Sequence, residues 1–320
     1  MGDPKQPSAA APLPAPGPLG DSSGSGGGQE SSERRGAWTL GALLQWTQTK
    51  FQSAGISNAR LDAEHLLAFA IGCSRMTLYV EHDRPVDDAQ RARFRELVKR
   101  RLTREPVAYI EGKRGFHALD LELAVDRRVL VPRPETEHLV DWMLEDLVDA
   151  SGAVIDVGTG SGAIALAIKH RRPDLDVTAV DVSTDALDVA RANAERLALA
   201  VGLARSDLLT DVSPPAGGWR AIAANLPYIA TAELATLEPE VSVHEPRLAL
   251  DGGADGLDLI RRLIAQIVQP GVLAPGGAVY LEVGYDQAAR VADLLRAHGL
   301  AADVRADHSR VPRVVRGRVG

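Results

Sequence analysis

Only one of the 320 residues is cysteine, Cys73, which leaves no partner for an internal disulfide and no set of thiolates for a metal. It stands in an apolar, helix-like run and reads as a buried structural thiol in a protein kept in a reducing compartment. No stretch approaches the roughly 18 apolar residues that a membrane span requires. The opening Met1-Gly2-Asp3-Pro4-Lys5-Gln6 has no apolar signal core, and it carries Gln6 where a myristoylation signal prefers Ser or Thr. A cytoplasmic protein without a membrane partner is expected. Positive charge is not in excess: 36 Lys and Arg face 43 Asp and Glu, for a formal net charge of -7. No chain-wide basic surface therefore exists to neutralise a phosphate backbone. Aromatic residues make up 4% of the chain, and no aromatic and basic stretch of the kind that reads bases stands out. The eight histidines show no His-x-x-x-His spacing, so no metal is expected.

What is present is ordinary globular usage, 45% hydrophobic and 25% charged, at a length that suits about two domains. Residues 1–36 are Pro, Ala, Gly and Ser with almost no large apolar side chain, a composition that reads as a disordered tail. From Thr39 the spacing becomes helical. Leu40, Leu43 and Leu44 share one side, followed by Ala63, Leu66, Leu67, Ala70 and Ile71 on a helix that Ser57 or Asn58 can cap. A third helix is expected from Asp87 to Thr103, and residues 37–108 read as a small α-helical domain. Trp38 and Trp46 fall on the first helix and read as packing residues. Strand-like alternation through Leu119, Leu121, Leu123 and Val125 predicts a β-hairpin connector over 109–131. Pro132 and Pro134 then stiffen the corner before a helix beginning near Thr136. Beyond it, short apolar runs at 153–157, 176–182, 201–205, 221–224 and 278–283 alternate with helical segments. That is the pattern of a mostly parallel, doubly wound α/β sheet over 132–320, which pieces at 301–306 and 311–319 can close as an antiparallel pair.

The chemistry gathers at the ends of these strands. Gly158-Thr159-Gly160-Ser161-Gly162 leaves the first strand and enters a helix, a turn whose missing side chains let a ligand approach the backbone. Read as Gly-x-Gly-x-x-Ala it also satisfies a dinucleotide pattern, so a nicotinamide enzyme stays open at this point. Asp181 ends the next strand, where a carboxylate takes ribose hydroxyls, and Asp207 and Leu208 end the third, beside an adenine. Asn225-Leu226-Pro227-Tyr228 at the end of the fourth strand discriminates. Hydride transfer does not need it, whereas an amide or aryl amine that accepts a methyl group does. Its nitrogen lone pair is delocalised, and an Asn carbonyl with a nearby backbone carbonyl can grip both N–H groups and hold the nitrogen pyramidal. Tyr228 would pack on the planar acceptor, and Pro227 stiffens the turn.

These residues, with Leu130-Val131-Pro132-Arg133-Pro134-Glu135-Thr136-Glu137, Glu245 to Gly253 and Leu281-Glu282-Val283-Gly284-Tyr285, resemble the release factor glutamine methyltransferase family (PrmC/HemK) over roughly residues 39–320. The resemblance implies a Rossmann-like, seven-stranded class I methyltransferase domain behind a small α-helical domain. It implies S-adenosylmethionine as donor, S-adenosylhomocysteine as product, and the Gln amide of the Gly-Gly-Gln loop of class I peptide chain release factors as acceptor. The helical domain would help hold that partner, and Pro134 and Glu137 would wall the acceptor pocket, although Glu137 also reads as a plain helix-start charge. A monomer without bound nucleic acid is expected. Leu226 stands where the family usually has Pro, and Asn-Leu-Pro-Tyr resembles the adenine-N6 methylases of ribosomal RNA. Leu208 replaces an aromatic often found beside adenine. An adenine-N6 methyltransferase of RNA or DNA, or a non-catalytic adenosyl-binding translation partner, are thus the alternatives. Gly27-Gly28-Gln29 repeats the acceptor triplet in a Gly-rich stretch where chance suffices.

Overall fold

The computed structural model describes residues 38–117 and 121–319. The tail, its Gly27-Gly28-Gln29 triplet and Leu119 lie outside the described residues. The chain divides into two units at Glu111/Gly112.

The first unit is helical: α1 (Leu40–Ser53), α2 (Ala59–Ile71), α3 (Arg75–Val80), α4 (Asp88–Leu102) and α5 (Val107–Glu111). Thr39 caps α1 by accepting the Ala42 N–H, and Asp87 with Gln90 forms a capping box on α4, contributions of roughly 1 kcal/mol each. The apolar spacing expected from the sequence is what packs, with Leu40, Leu43, Leu66 and Leu67 buried against Phe94 and Leu97 of α4. Four local expectations need correction. Asn58 takes the N-cap position of α2 but makes no capping bond through its side chain. Cys73 is not a buried helical thiol: α2 stops at Gly72 in the left-handed conformation (φ 76°), and Cys73 lies half-buried beyond it, its thiol pushed up by that partial burial. Trp38 precedes the cap instead of sitting on α1, its ring edge-on to Trp46 at 6.4 Å. Tyr109 and Ile110 belong to α5, so strand geometry starts only at Lys113. Helices as short as α3 and α5 carry too few residues for a 3.6-residue period to show.

The second unit opens with the hairpin β1 (Lys113–Phe116) and β2 (Leu121–Ala124), followed by α6 (Pro134–Asp146). A seven-stranded sheet follows, from β3 (Ala153–Val157), β4 (Asp176–Asp181), β5 (Gly202–Arg205), β6 (Trp219–Ala224), β7 (Leu273–Glu282), β8 (Ala301–Ala306) and β9 (Pro312–Arg318). Between them run α7 (Ala163–Arg171), α8 (Thr184–Leu197), the short α9 (Pro239–Ser242), α10 (Asp258–Ile267) and α11 (Ala288–Ala297). Strand order is β5-β4-β3-β6-β7-β9-β8, parallel through β7, with β9 antiparallel to both its neighbours. The last two strands do close the sheet, and the chain's final strand takes the inner place. β9 buries Val314 and Val315 on opposite faces, whereas β8 has no buried residue and suits the edge.

Pleating assigns each strand residue to a layer. Val154, Ala221, Ala223, Ala278 and Tyr280 pack with α6 and α7, while Ile155, Val157, Ile222, Val279 and Leu281 pack with α10 and α11. The same alternation turns two fully buried acids, Asp156 and Glu282, toward the α6 and α7 layer. Asn193 of α8 ties the hairpin to the glycine turn: its Oδ1 accepts the Ala124 N–H at 2.7 Å, and its Nδ2 donates to the Ala124 and Ser161 carbonyls at 3.0 and 2.9 Å. Among the described residues no helix is long and apolar enough to cross a membrane, and no group of three or more side chains could hold a metal ion.

Candidate functional site

The chain runs outward from β3 to β5 and then returns to β6 on the far side of β3. Open α/β sheets bind ligands where strand order reverses in this way, at the carboxyl ends of the strands. A cavity of ≈ 300 Å³ lies there. Its lining brings together Gly158, Thr159, Gly160, Ser161, Asp181, Asp207, Leu208, Asn225, Leu226 and Pro227, residues contributed by the ends of β3, β4, β5 and β6. Gly162, Tyr228, Pro134 and Glu137 are not part of that lining. Gly162 is the N-cap of α7 and Pro134 the exposed first residue of α6, with Glu137 one turn on. The Tyr228 phenol faces inward near Glu282, Arg313, Arg133 and Glu135, and burial pushes its hydroxyl up to about 12.

The glycine turn is shaped by a buried acid at its start, Asp156, to which the sequence alone assigns no role. Asp156 Oδ2 accepts from Thr159 Oγ1 at 2.6 Å and from the Ala165 N–H at 3.2 Å, pinning the turn to the first residues of α7. Its Oδ1 has no partner among the described residues, and complete burial pushes the carboxyl up to about 7. Gly160 has φ 55°, and a Cβ built there would meet nothing within 4 Å, so its backbone borders open space. Asp181 Oδ2 accepts the Gly160 N–H and Oδ1 the Ser183 N–H, each at 2.9 Å. The Val182 backbone also acts on this carboxyl, and a carboxylate's roughly four acceptor positions leave room beside these donors for a ligand's hydroxyl. Asp207 is paired with Arg262 at 2.6 Å, and both line the cavity with Leu208. An apolar shelf, a carboxylate with spare acceptor positions and a side-chain-free turn together fit an adenosine-bearing donor.

On the opposite side stands Asn225, whose Nδ2 donates to Thr136 Oγ1 of α6 at 3.1 Å. Thr136 in turn hydrogen-bonds Glu282. The segment entering α6 is fixed by Arg133, which donates to both oxygens of buried Glu245 at 2.8 Å. Burial pushes the Glu245 carboxyl up, and Arg133 opposes that shift. Beyond Tyr228 the chain pairs with 250–253, through Ile229 N–H to the Leu250 carbonyl and Gly252 N–H to the Ile229 carbonyl. A Cβ on Gly252 would lie 2.6 Å from the Pro227 carbonyl oxygen, so only glycine fits. Gln287 clamps the same loop by donating to the Tyr228 carbonyl at 2.8 Å while accepting the Gly284 N–H at 2.9 Å. Gly256 (φ 77°) packs under this clamp: an added Cβ would fall on the Tyr228 carbonyl oxygen and lie 2.6 Å from Gln287 Nε2. Gly256→Ala is therefore expected to destabilise the protein by about 2 kcal/mol, roughly 5 °C in Tm. A thermal melt checks this, and an unchanged Tm would mean that the loop yields without cost.

Thr136, Glu282, Asp156, Arg133, Glu245, Arg262 and Gln287 were not singled out from sequence as site residues. For Glu282 and Asp156 a signal existed, a charge inside an apolar strand run, and Arg133, Thr136 and Glu245 stand in the segments that carry the family resemblance; Arg262 and Gln287 carry none that a single sequence displays.

Residues 42–112 match the PrmC N-terminal domain family, and residues 135–238 match the methyltransferase small domain family. A release factor glutamine methyltransferase of Geobacter sulfurreducens is 40% identical over 292 residues, covering 90% of this chain and 100% of that protein. One of Rhodopirellula baltica is 45% identical over 253 residues, covering 77% and 84%. Among solved structures, the hMettl16 catalytic domain in complex with MAT2A 3'UTR hairpin 1 superposes with a TM-score of 0.50 at 16% identity, over 61% of this chain and 74% of that one, a likeness of fold alone. With identity of this level extending over the full length of a relative, the chain belongs to the release factor glutamine methyltransferase family.

Proposed function

We propose that this enzyme transfers a methyl group from S-adenosylmethionine to the side-chain amide nitrogen of the Gln in the Gly-Gly-Gln motif of class I peptide chain release factors, with S-adenosylhomocysteine as the other product. One observation carries the reading: Asn225 lines the cavity with its Nδ2 committed to Thr136, which leaves Oδ1 as the end of the amide that can accept a hydrogen bond from an acceptor N–H. The bound donor supplies a methyl group on a positively charged sulfur that departs as a neutral thioether.

The chain's own residues do the rest. Gly158, Thr159, Gly160 and Ser161 give the donor a backbone surface, with Gly162 setting the start of α7. Asp181 accepts from its ribose hydroxyls, and Asp207 and Leu208 border its adenine. Asn225 Oδ1 and a backbone carbonyl of the Leu226-Pro227 loop hold the two acceptor N–H groups, so the nitrogen pyramidalises and its lone pair is no longer shared with the carbonyl. As the new C–N bond forms the nitrogen sheds a proton to water, so no tuned base is needed. Tyr228 supports this loop from its inner side, and Pro134 and Glu137 border the approach. The helical unit over 37–108 helps hold the release factor, and the enzyme works as a cytoplasmic monomer.

Mass spectrometry of a release factor after incubation with enzyme and donor tests the reading. A single methyl group on the Gly-Gly-Gln peptide is expected. An unmodified peptide beside methylated adenine in RNA or DNA, assayed in parallel at one salt concentration, would favour the nucleic-acid acceptor instead. Donor binding with no turnover on either would leave a non-catalytic partner.

A further inference from the structure

Glu282 ends β7 between Leu281 and Val283, both of which pack in the α10 and α11 layer, so the pleat turns Glu282 the other way, toward α6. There it is fully buried, with Thr136 as its side-chain hydrogen-bond partner and Oε2 without a partner among the described residues. Thr136 Oγ1 also receives the Nδ2–H of Asn225. Three side chains from β7, α6 and the end of β6 thus form a line that terminates at the cavity.

The direction of that line depends on protons. A hydroxyl has a single proton to give. Facing an ionised Glu282, which can only accept, Thr136 must donate to the carboxylate and receive from Asn225, so Asn225 turns its NH2 to Thr136 and its Oδ1 to the acceptor. Facing a protonated Glu282, Thr136 can receive from the acid and donate to Asn225. The amide that satisfies this arrangement is rotated by half a turn, with NH2 toward the cavity, where it opposes the acceptor's own N–H groups.

We propose that Glu282, acting through Thr136, decides which end of the Asn225 amide faces the acceptor, making Glu282 and Thr136 positioning residues for methyl transfer. The inference rests on the reading of Asn225 given above. The groups facing Glu282 are Thr136 and Glu135 of α6, Arg133 ahead of it, Arg313 of β9 and Tyr228 after β6. Burial is the largest influence and pushes the carboxyl up to about 7, against the Thr136 hydrogen bond and the charges of Arg313 and Arg133, with Glu135 adding to the rise. The ionised form is the productive one, so turnover rises with pH through about 7 and falls roughly tenfold per pH unit below it.

The test follows kcat against pH, at saturating donor with a release factor as substrate, for the wild type, Thr136→Ser, Thr136→Val and Glu282→Gln. In parallel, the side-chain amide resonance of Asn225 is followed by NMR in the donor-free protein. Thr136→Ser should stay within about twofold of wild type. Thr136→Val should lose roughly tenfold in kcat with little change in KM, the loss of one orienting hydrogen bond. Glu282→Gln should lower kcat and abolish the acid limb, and the Asn225 resonance should titrate near pH 7 only where Glu282 is present. Wild-type kcat in Thr136→Val, or a wild-type acid limb in Glu282→Gln, would overturn the inference. A wild-type enzyme that leaves the release factor unmodified fails the functional reading instead. The NMR titration then still decides the inference, and a pH-independent Asn225 resonance in the wild type ends it.

Discussion

Replacing Asn225 with Ala should lower kcat on a release factor by about 100-fold or more, as removal of a single oxyanion-hole donor does elsewhere, while donor affinity stays within about twofold. A carboxamide nitrogen shares its lone pair with its carbonyl, and most of the barrier lies in withdrawing that pair. Groups that hold the N–H bonds of the pyramidal nitrogen act in the transition state and scarcely before it, which is why the loss belongs in kcat. The donor cradle is built from other segments, the glycine turn after β3 and Asp181 after β4, so it should survive the substitution. Single-turnover kinetics beside a donor titration separates the two quantities. Equal losses in both would contradict the assigned role.

Asp181→Ala should do the reverse. A hydrogen bond to a charged group contributes about 1.5–3 kcal/mol, so losing that of the ribose costs up to about 3 kcal/mol, roughly a 100-fold rise in the donor Kd. The substitution also releases the Gly160 and Ser183 N–H groups that Asp181 now holds at 2.9 Å, loosening the turn against which the donor lies. With donor raised to saturation, kcat should return to within a few-fold of wild type, because the acceptor groups are untouched. Calorimetric titration gives the Kd directly. An unchanged value would remove Asp181 from the donor site and leave it as a brace for the turn alone.

The fold also separates residues that stand side by side in the motifs. Tyr228 ends the acceptor loop in sequence, yet it is not among the cavity lining, and its hydroxyl feels the charges of Glu282, Arg313 and Arg133. Pro134 lies exposed at the first position of α6, while Thr136, two residues on, reaches Asn225. Residues adjacent in a motif diverge because a helix turns by about 100° per residue.

What could be read from the chain was whatever a short window contains. The apolar runs of β3 and β4, the glycines that leave β3, Asp181 at the end of β4 and the polar loop Asn225–Tyr228 depend on pleat, turn geometry and strand ends, all local properties. The α-helical face of Leu40, Leu43, Leu66 and Leu67 was equally visible, because amphipathic spacing reports burial without specifying a partner. Contacts between distant segments were not legible. Asn225 meets Thr136 across 89 positions and Arg133 meets Glu245 across 112, pairings created by the strand order and by the return of the chain to β6 beside β3. The inner place of β9 was likewise decided by which strand could bury both faces. A buried carboxylate such as Glu282 acquires its chemistry only there, since burial and partners, not neighbours in sequence, determine where its proton resides.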